Sequence, residues 1–200
     1  MPFLHIAVLA LVQGLTEFLP VSSSAHLILV PYLTGWPDQG LVIDVAVHVG
    51  TLGAVLLYFW RDLGGMVLGL MRLTRGQRDP GARLAGFLVL ATLPAVAAGY
   101  LLDRYYPSGI RGLEVIAWTT LGFGILLFLA DKLGMTVRRI EHLRLGDVLI
   151  IGFAQVLALI PGTSRSGITI TAARFLGLER HDGARFSMLL AIPVIIGASS

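Results

Sequence analysis

Two stretches carry the side chains that could do chemistry. One is Gln13-Gly-Leu-Thr-Glu-Phe-Leu-Pro-Val-Ser-Ser-Ser-Ala-His26, and the other is Gln155-Val-Leu-Ala-Leu-Ile-Pro-Gly-Thr-Ser-Arg-Ser-Gly-Ile-Thr169. Each begins apolar, meets a proline, passes through hydroxyl residues and turns apolar again. Proline lacks a backbone donor and ends the helix before it. The hydroxyls beyond it, Ser22, Ser23 and Ser24 in one copy and Thr163, Ser164 and Ser166 in the other, can cap a second helix segment. A helix N-terminus carries about half a positive charge and a fan of free N–H groups. Two such ends facing one another make an anion pocket. Arg165 adds a full charge and a forked donor set, which suits phosphate oxygens.

Other polar groups keep company with these clusters. Glu17 follows Gln13 by four residues, so both leave one helix face. His26 follows Ser23 by three and shares a face with it in the second half-helix. Ser, Thr, Pro and Gly also serve as packing kinks in membrane helices. Two clusters beside charged or titratable groups favour a site, because charge buried in lipid is costly. Asp44 and His48, at i and i+4, either support the site or lie at the membrane interface. Arg174 reads equally as a substrate ligand or a snorkelling side chain. His5, His142 and His181 are expected at surfaces.

The elements that must position these groups are membrane helices. Hydrophobic residues make up 56% of the 200 and charged residues only 14%, against about 45–50% and about 25% in soluble domains. With no cysteine, thiolate metal sites, Cys nucleophiles and disulfide scaffolds are excluded. The net charge of +3 resides in or beside turns between apolar runs, which fits membrane topology and argues against nucleic acid. Leu84 to Leu102 has no charge over nineteen residues, close to the roughly 20 that cross a bilayer. Val115 to Ala130 and Val42 to Trp60 are further spans. Phe186 to Ser200 opens another and is short of a full crossing, so the last helix is expected to be cut off. No basic n-region or cleavage site marks Met1-Pro2-Phe3-Leu4-His5 as a signal peptide.

Loop charges give the orientation. Residues 61–83 hold five arginines, 103–114 hold Arg104 and Arg111 against two acids, and 131–147 hold Lys132, Arg138, Arg139 and Arg144. The positive-inside rule places 61–83 and 131–147 in the cytoplasm and 103–114 outside. Aligning Pro20 with Pro161 sets Ser23 on Ser164 and exposes a weak internal repeat of about 140 residues. Three spans between the copies invert the second relative to the first, an arrangement that puts binding sites near the bilayer midplane. The expected fold is an all-α integral membrane protein with an inverted-topology repeat. It forms one membrane domain over 1–200, with repeat one at about 1–100 and repeat two at about 112–200, the second truncated at its C-terminus.

Several motifs lead nowhere. Gly162-Thr-Ser-Arg-Ser166 has Ser in the last position of G-x-S-x-G, and no α/β sheet surrounds it. No phosphate-binding G-x-x-x-x-G-K-[ST] loop and no H-E-x-x-H occur. Pro107-Ser108-Gly109 matches part of the lipid phosphatase signature built on a phosphohistidine, but Ile110 follows where His is required.

The two long stretches closely resemble the signature motifs of the undecaprenyl-diphosphate phosphatase family, also called the bacitracin-resistance protein family. The likeness extends through Phe59-Trp60-Arg61 and from Phe186 to Ala198. It implies a multi-pass enzyme of the bacterial plasma (inner) membrane with two re-entrant helix pairs. That enzyme removes the terminal phosphate of undecaprenyl diphosphate, which recycles the lipid carrier of peptidoglycan synthesis and confers bacitracin resistance. The resemblance implies roles for Glu17, Ser23 and His26 and for Ser164, Arg165 and Thr169, and a site opening to the outer face. Gln13 stands where many members have a second glutamate. Members are commonly longer, so the chain reads as a fragment or as lacking its C-terminal part.

On that resemblance Ser23 is the candidate nucleophile, with His26 as the first choice of base and Glu17 as alternative or partner. Arg165 and the helix ends hold the developing charge, and Ser22, Ser24, Thr163, Ser164, Ser166 and Thr169 line the substrate pocket. A divalent cation, Mg²⁺ or Ca²⁺, is expected on Glu17 and the Gln13 carbonyl. Direct attack by water is the other route. The partners are a polyprenyl diphosphate lipid and the bilayer, with a homodimer among the options. The rival function is a secondary transporter or lipid flippase on the same inverted repeat.

Overall fold

The computed structural model describes residues 2–105 and 112–198; Pro107-Ser108-Gly109-Ile110, Arg111 and Ser199-Ser200 lie outside the described residues. The elements are α1 (Phe3–Thr16), α2 (Ser23–Thr34), α3 (Gly40–Tyr58), α4 (Trp60–Leu73), α5 (Pro80–Tyr105), α6 (Leu113–Leu133), α7 (Leu145–Val156), α8 (Arg165–Phe175) and α9 (Arg180–Ala198). Among the described residues the only β-type pairing is an isolated bridge between Arg138 and Leu178. The protein is an all-α membrane protein. By length and composition α5 and α6 can each cross a bilayer, and α3 with α4 forms a third apolar unit bent by 75°.

Two sequence boundaries are corrected. Residues 61–83 contain α4 rather than only a loop. Its Met66 and Gly69 are buried while Val67, Leu70 and Met71 stay exposed, a helical spacing that the arginines of this segment obscure. The last element is longer than Phe186 onward, because α9 starts at Arg180. Arg180 is held by Asp131, so charge at this end is matched rather than excluded.

Helix α5 lies at the centre and packs on α4, α7 and α9. Ala91, Ile151, Leu189 and Leu190 are fully buried around it. At Gly152 an added Cβ would lie 2.7 Å from the Ala91 carbonyl oxygen, so the α5 and α7 backbones touch there. The outer face of α6 shows Trp118, Leu121, Ile125 and Phe128 in an exposed stripe, as a lipid-facing helix does.

Both prolines sit in helix breaks. Residues 17–22 separate α1 from α2, and a 3₁₀ turn at Leu157–Leu159 followed by Pro161 separates α7 from α8. Each break contains one residue of positive φ, Ser22 at 60° and Gly162 at 90°. Helices α7, α8 and α9 begin 142, 142 and 140 residues after α1, α2 and α3. Backbone groups freed inside a membrane need partners. The Thr119 hydroxyl donates to the Pro161 carbonyl at 2.6 Å and the Thr120 hydroxyl to that of Gly162 at 3.1 Å. The Ser166 hydroxyl donates to the Leu19 carbonyl at 3.1 Å, joining the second break to the first.

Arg174 neither snorkels nor reaches for substrate. It is 1% exposed. It donates to the carbonyls of Leu178 at 2.5 Å and of Asp131 and Gly134 at 3.3 Å each. It clamps the end of α8 to the end of α6. Asp79 similarly starts α5: its carboxylate accepts from Gly81 N–H at 2.8 Å and from Arg72 at 2.9 Å.

Two outcomes follow from these joints. At Gly162 a Cβ would meet the Ile116 carbonyl oxygen at 2.6 Å and the Ile116 Cα at 2.9 Å, besides the φ penalty of about 1–2 kcal/mol. Gly162→Ala therefore lowers the thermal midpoint of the detergent-purified protein, and an unchanged midpoint refutes the tight contact between α6 and the break before α8. The Arg72 hydrogen bond, with the Gly81 N–H, holds the Asp79 carboxyl below its ordinary value of 3.8. A lowered acid contributes stability above its unfolded pKa and loses it as pH falls through the folded one. The Asp79→Asn stability deficit measured at neutral pH thus shrinks as pH drops below about 3.8.

Candidate functional site

Glu17 is where the two broken helices meet. It lies in the turn after α1, 7% exposed. Its Oε1 accepts from an Arg165 guanidinium nitrogen at 2.8 Å, across 148 residues of sequence. Its Oε2 accepts from the Ser23 hydroxyl at 2.5 Å and from Gln13 Nε2 at 2.9 Å. Ser23 opens α2 and Arg165 opens α8, so one carboxylate ties the starts of both second half-helices together. In a poorly solvated setting an ion pair this close, with its remaining lone pairs hydrogen-bonded, offsets much of the cost of burial.

Caps set the direction of both half-helices. Ser22 accepts from Ala25 N–H at 3.4 Å and Ser164 from Gly167 N–H at 3.1 Å. Ser24 is exposed and lies 3.2 Å from Ser22 Oγ. The hydroxyls of Ser164 and Ser166 are 3.0 Å apart. Thr163 Oγ1 is buried with no hydrogen-bond partner, as is Gln13 Oε1. The Thr169 hydroxyl donates to the Arg165 carbonyl at 2.9 Å and lies 2.7 Å from Ser187 Oγ. Thr169 therefore secures α8 against α9 rather than facing the carboxylate.

The histidines divide differently from the sequence expectation. His26, half-buried, has Nδ1 2.8 Å from the Ser22 carbonyl. A carbonyl only accepts, so Nδ1 carries the proton and Nε2 is the working nitrogen. The Ser23 hydroxyl is bonded to Glu17, not to His26. His48 is the addition: its Nδ1 donates to the Asp44 carbonyl at 2.7 Å and its Nε2 stands 3.6 Å from Glu17 Oε2. Asp44 itself accepts from Gln39 Nε2 at 2.7 Å. Of the pair left open by sequence, His48 thus stands at the site and Asp44 positions it. His142 and His181 are exposed, and His5 is half-buried with its ring stacked on Trp36 at 3.7 Å.

Sequence reasoning missed Thr119, Thr120 and Ser187. The Thr119-Thr120 pair inside an apolar run was the available signal, yet its purpose, bonding the carbonyls of the second break, depends on a helix 42 residues away. Around the cluster the tips are in contact, leaving only about 10 Å³ between Pro20, Gly162 and Ser164. The accessible side is that of Ser24, His26 and His48.

The arrangement can activate a hydroxyl and hold an anion: an acceptor on the Ser23 hydroxyl, a guanidinium beside it, and two capped helix starts. An undecaprenyl-diphosphatase of Rhodospirillum rubrum is 58% identical over 207 aligned positions, covering 100% of this chain and 73% of that protein. Those of Ruegeria pomeroyi and Teredinibacter turnerae are 57% and 54% identical, each covering at least 98% of this chain and 75% of their own length. The family described as bacitracin resistance protein BacA matches residues 6–200, a range that takes in both broken helices and the carboxylate joining them, and the chain belongs to that family.

Proposed function

We propose that this chain hydrolyses undecaprenyl diphosphate to undecaprenyl phosphate and inorganic phosphate, and that Glu17 is the base that activates Ser23. The observation that carries the reading is the shared carboxylate: Ser23 and Arg165, from opposite halves of the chain, both bond to Glu17. The names of the relatives supply the substrate. No observation favours the transporter or flippase alternative.

The diphosphate enters from the side of Ser24 and His26 while the prenyl tail stays in lipid. Glu17 takes the Ser23 proton as the Ser23 oxygen bonds to the terminal phosphorus. The bond from that phosphorus to the bridging oxygen breaks, and undecaprenyl phosphate leaves with the electron pair. His26 Nε2 then takes a proton from water, which attacks the phosphoserine; as the bond from phosphorus to the Ser23 oxygen breaks, Glu17 returns its proton to that oxygen, and phosphate and the serine hydroxyl are freed. In the direct route water replaces Ser23 in the first step and Glu17 serves the same purpose. Arg165 transfers its charge from the carboxylate to the phosphoryl oxygens as they become more negative, and His48 stands beside Glu17 with its Nε2 3.6 Å from Oε2.

A divalent cation fits this donor set. Gln13 Oε1 is buried beside Glu17 without a partner, and both are hard oxygen donors. Among the described residues no three His, Cys, Asp or Glu side chains converge, so Glu17 and Gln13 would hold Mg²⁺ or Ca²⁺ together with substrate oxygens. Such an ion would neutralise diphosphate charge. The remaining hydroxyls, Ser22, Ser24, Thr163 and Ser164, present donors to phosphate at the two helix starts. Ser166 and Thr169 hold the tips together.

The arginine-rich segments 61–83 and 131–147 face the cytoplasm of a bacterial inner membrane, the second trio of helices is inverted relative to the first, and the site opens outward. A homodimer would use apolar helix faces such as that of α6.

Phosphate release from undecaprenyl diphosphate in detergent tests the chemistry. Ser23→Ala abolishes release, whereas turnover near wild type removes Ser23 as nucleophile and leaves the water route. Glu17→Gln lowers kcat by about 10²–10⁴-fold, and a larger loss in His26→Gln than in Glu17→Gln would return the first proton transfer to His26. Arg165→Ala costs about 10²–10³-fold in kcat; a change confined to KM would make Arg165 a binding group only.

A further inference from the structure

A cavity of about 1020 Å³ lies between α4, α5, the start of α9 and the turn at Ile140. None of Gln13, Glu17, Ser23, His26 or Arg165 lines it. Its walls are apolar at Met66, Leu73, Leu84 and Phe87. Its charged lining is unbalanced, with five arginines against three acids.

Pairing leaves the excess in place. Arg72 is taken by Asp79 at 2.9 Å, and Arg185 by Asp62. Arg83 donates to the Leu143 carbonyl and lies over the Phe87 ring at 5.0 Å. Arg61 lies over the Trp60 ring at 5.3 Å. Arg78 has no hydrogen bond or ion pair among the described residues. Three guanidinium groups at one cavity are thus outside any ion pair, against one acid in the same state, Glu141, a net excess of two positive charges.

The cavity is built between closely packed helices. A Cβ on Gly81 would stand 2.5 Å from the Gly65 carbonyl oxygen, and one on Gly69 2.5 Å from Ala82 N, so α4 and α5 cross at backbone contact. The 75° bend after α3 turns α4 across the direction of that helix. An α3 that runs along the bilayer normal sets α4 near the membrane plane, where its exposed Val67, Leu70 and Met71 suit the boundary between headgroups and acyl chains. The cavity then has charge at headgroup level and an apolar floor at chain level.

We infer that this cavity binds an anionic phospholipid, its phosphate held by Arg61, Arg78 and Arg83 and an acyl chain laid against Met66 and Phe87. Basic pockets between membrane helices select phosphate headgroups in this way. A free phosphate ion would use the arginines and leave the apolar floor without a function. The inference is independent of the catalytic reading, because no residue of the Glu17 cluster takes part.

Native mass spectrometry of the purified chain in detergent, with equimolar phosphatidylglycerol and phosphatidylcholine of identical chains, tests it. Phosphatidylglycerol is retained in preference. Arg78→Gln weakens that retention about fivefold and Arg61→Gln with Arg78→Gln about 30-fold, at about fivefold for each arginine near a headgroup. Phosphatidylcholine retention, thermal midpoint and phosphate release stay at wild-type values. Equal retention of phosphatidylglycerol by wild type and the double variant overturns the site. Displacement of the lipid by inorganic phosphate or glycerol 3-phosphate at matched concentration overturns the lipid assignment in favour of a free-phosphate site. Should the double variant fold poorly, Arg78→Gln decides alone, since that side chain has no hydrogen bond or ion pair to lose among the described residues.

Discussion

A carboxylate in the middle of an apolar fold must be matched, and here the match comes from the far half of the chain. Glu17 would be expensive to ionise alone in lipid. Arg165 neutralises it at 2.8 Å, and Ser23 and Gln13 occupy its other oxygen. The pairing works only if the α1–α2 break and the α7–α8 break approach tip to tip. The Ser166 hydroxyl on the Leu19 carbonyl, the α6 threonines on the Pro161 and Gly162 carbonyls, and Thr169 on Ser187 hold them there.

The same arrangement explains why helix interruption is tolerated. Each proline frees backbone groups that lipid cannot satisfy. At both breaks, carbonyls freed in this way are met by a hydroxyl from another element. The strained Ser22, with φ of 60°, is held because its hydroxyl caps α2 and its carbonyl takes the His26 ring. Backbone strain and buried charge are thus concentrated at one place, beside hydrogen-bond donors that the fold has already oriented.

Arginine has three separate uses in this fold. Arg165 carries charge to the buried carboxylate of Glu17. Arg174, nearly as far from solvent as any side chain, ties helix ends together through carbonyl oxygens. The arginines around α4 face a cavity where carboxylates are outnumbered. Position in sequence does not separate these uses, since Arg165 and Arg174 are nine residues apart on one helix.

Local pattern was enough for part of this. A proline followed by Ser and Thr ends one helix and starts the next by short-range sterics and capping, so both breaks were legible. So were the apolar spans, the capping hydroxyls and the carboxylate at Glu17. Helix α4 was hidden because its arginines outweighed a modest apolar face. The tertiary structure alone decided that Ser23 bonds Glu17 and not His26, that His48 joins the site, and that Arg174 is a clamp. Those choices join side chains up to 148 residues apart, and the distance between two groups on different helices follows from how the helices pack, a quantity that no spacing along the chain contains.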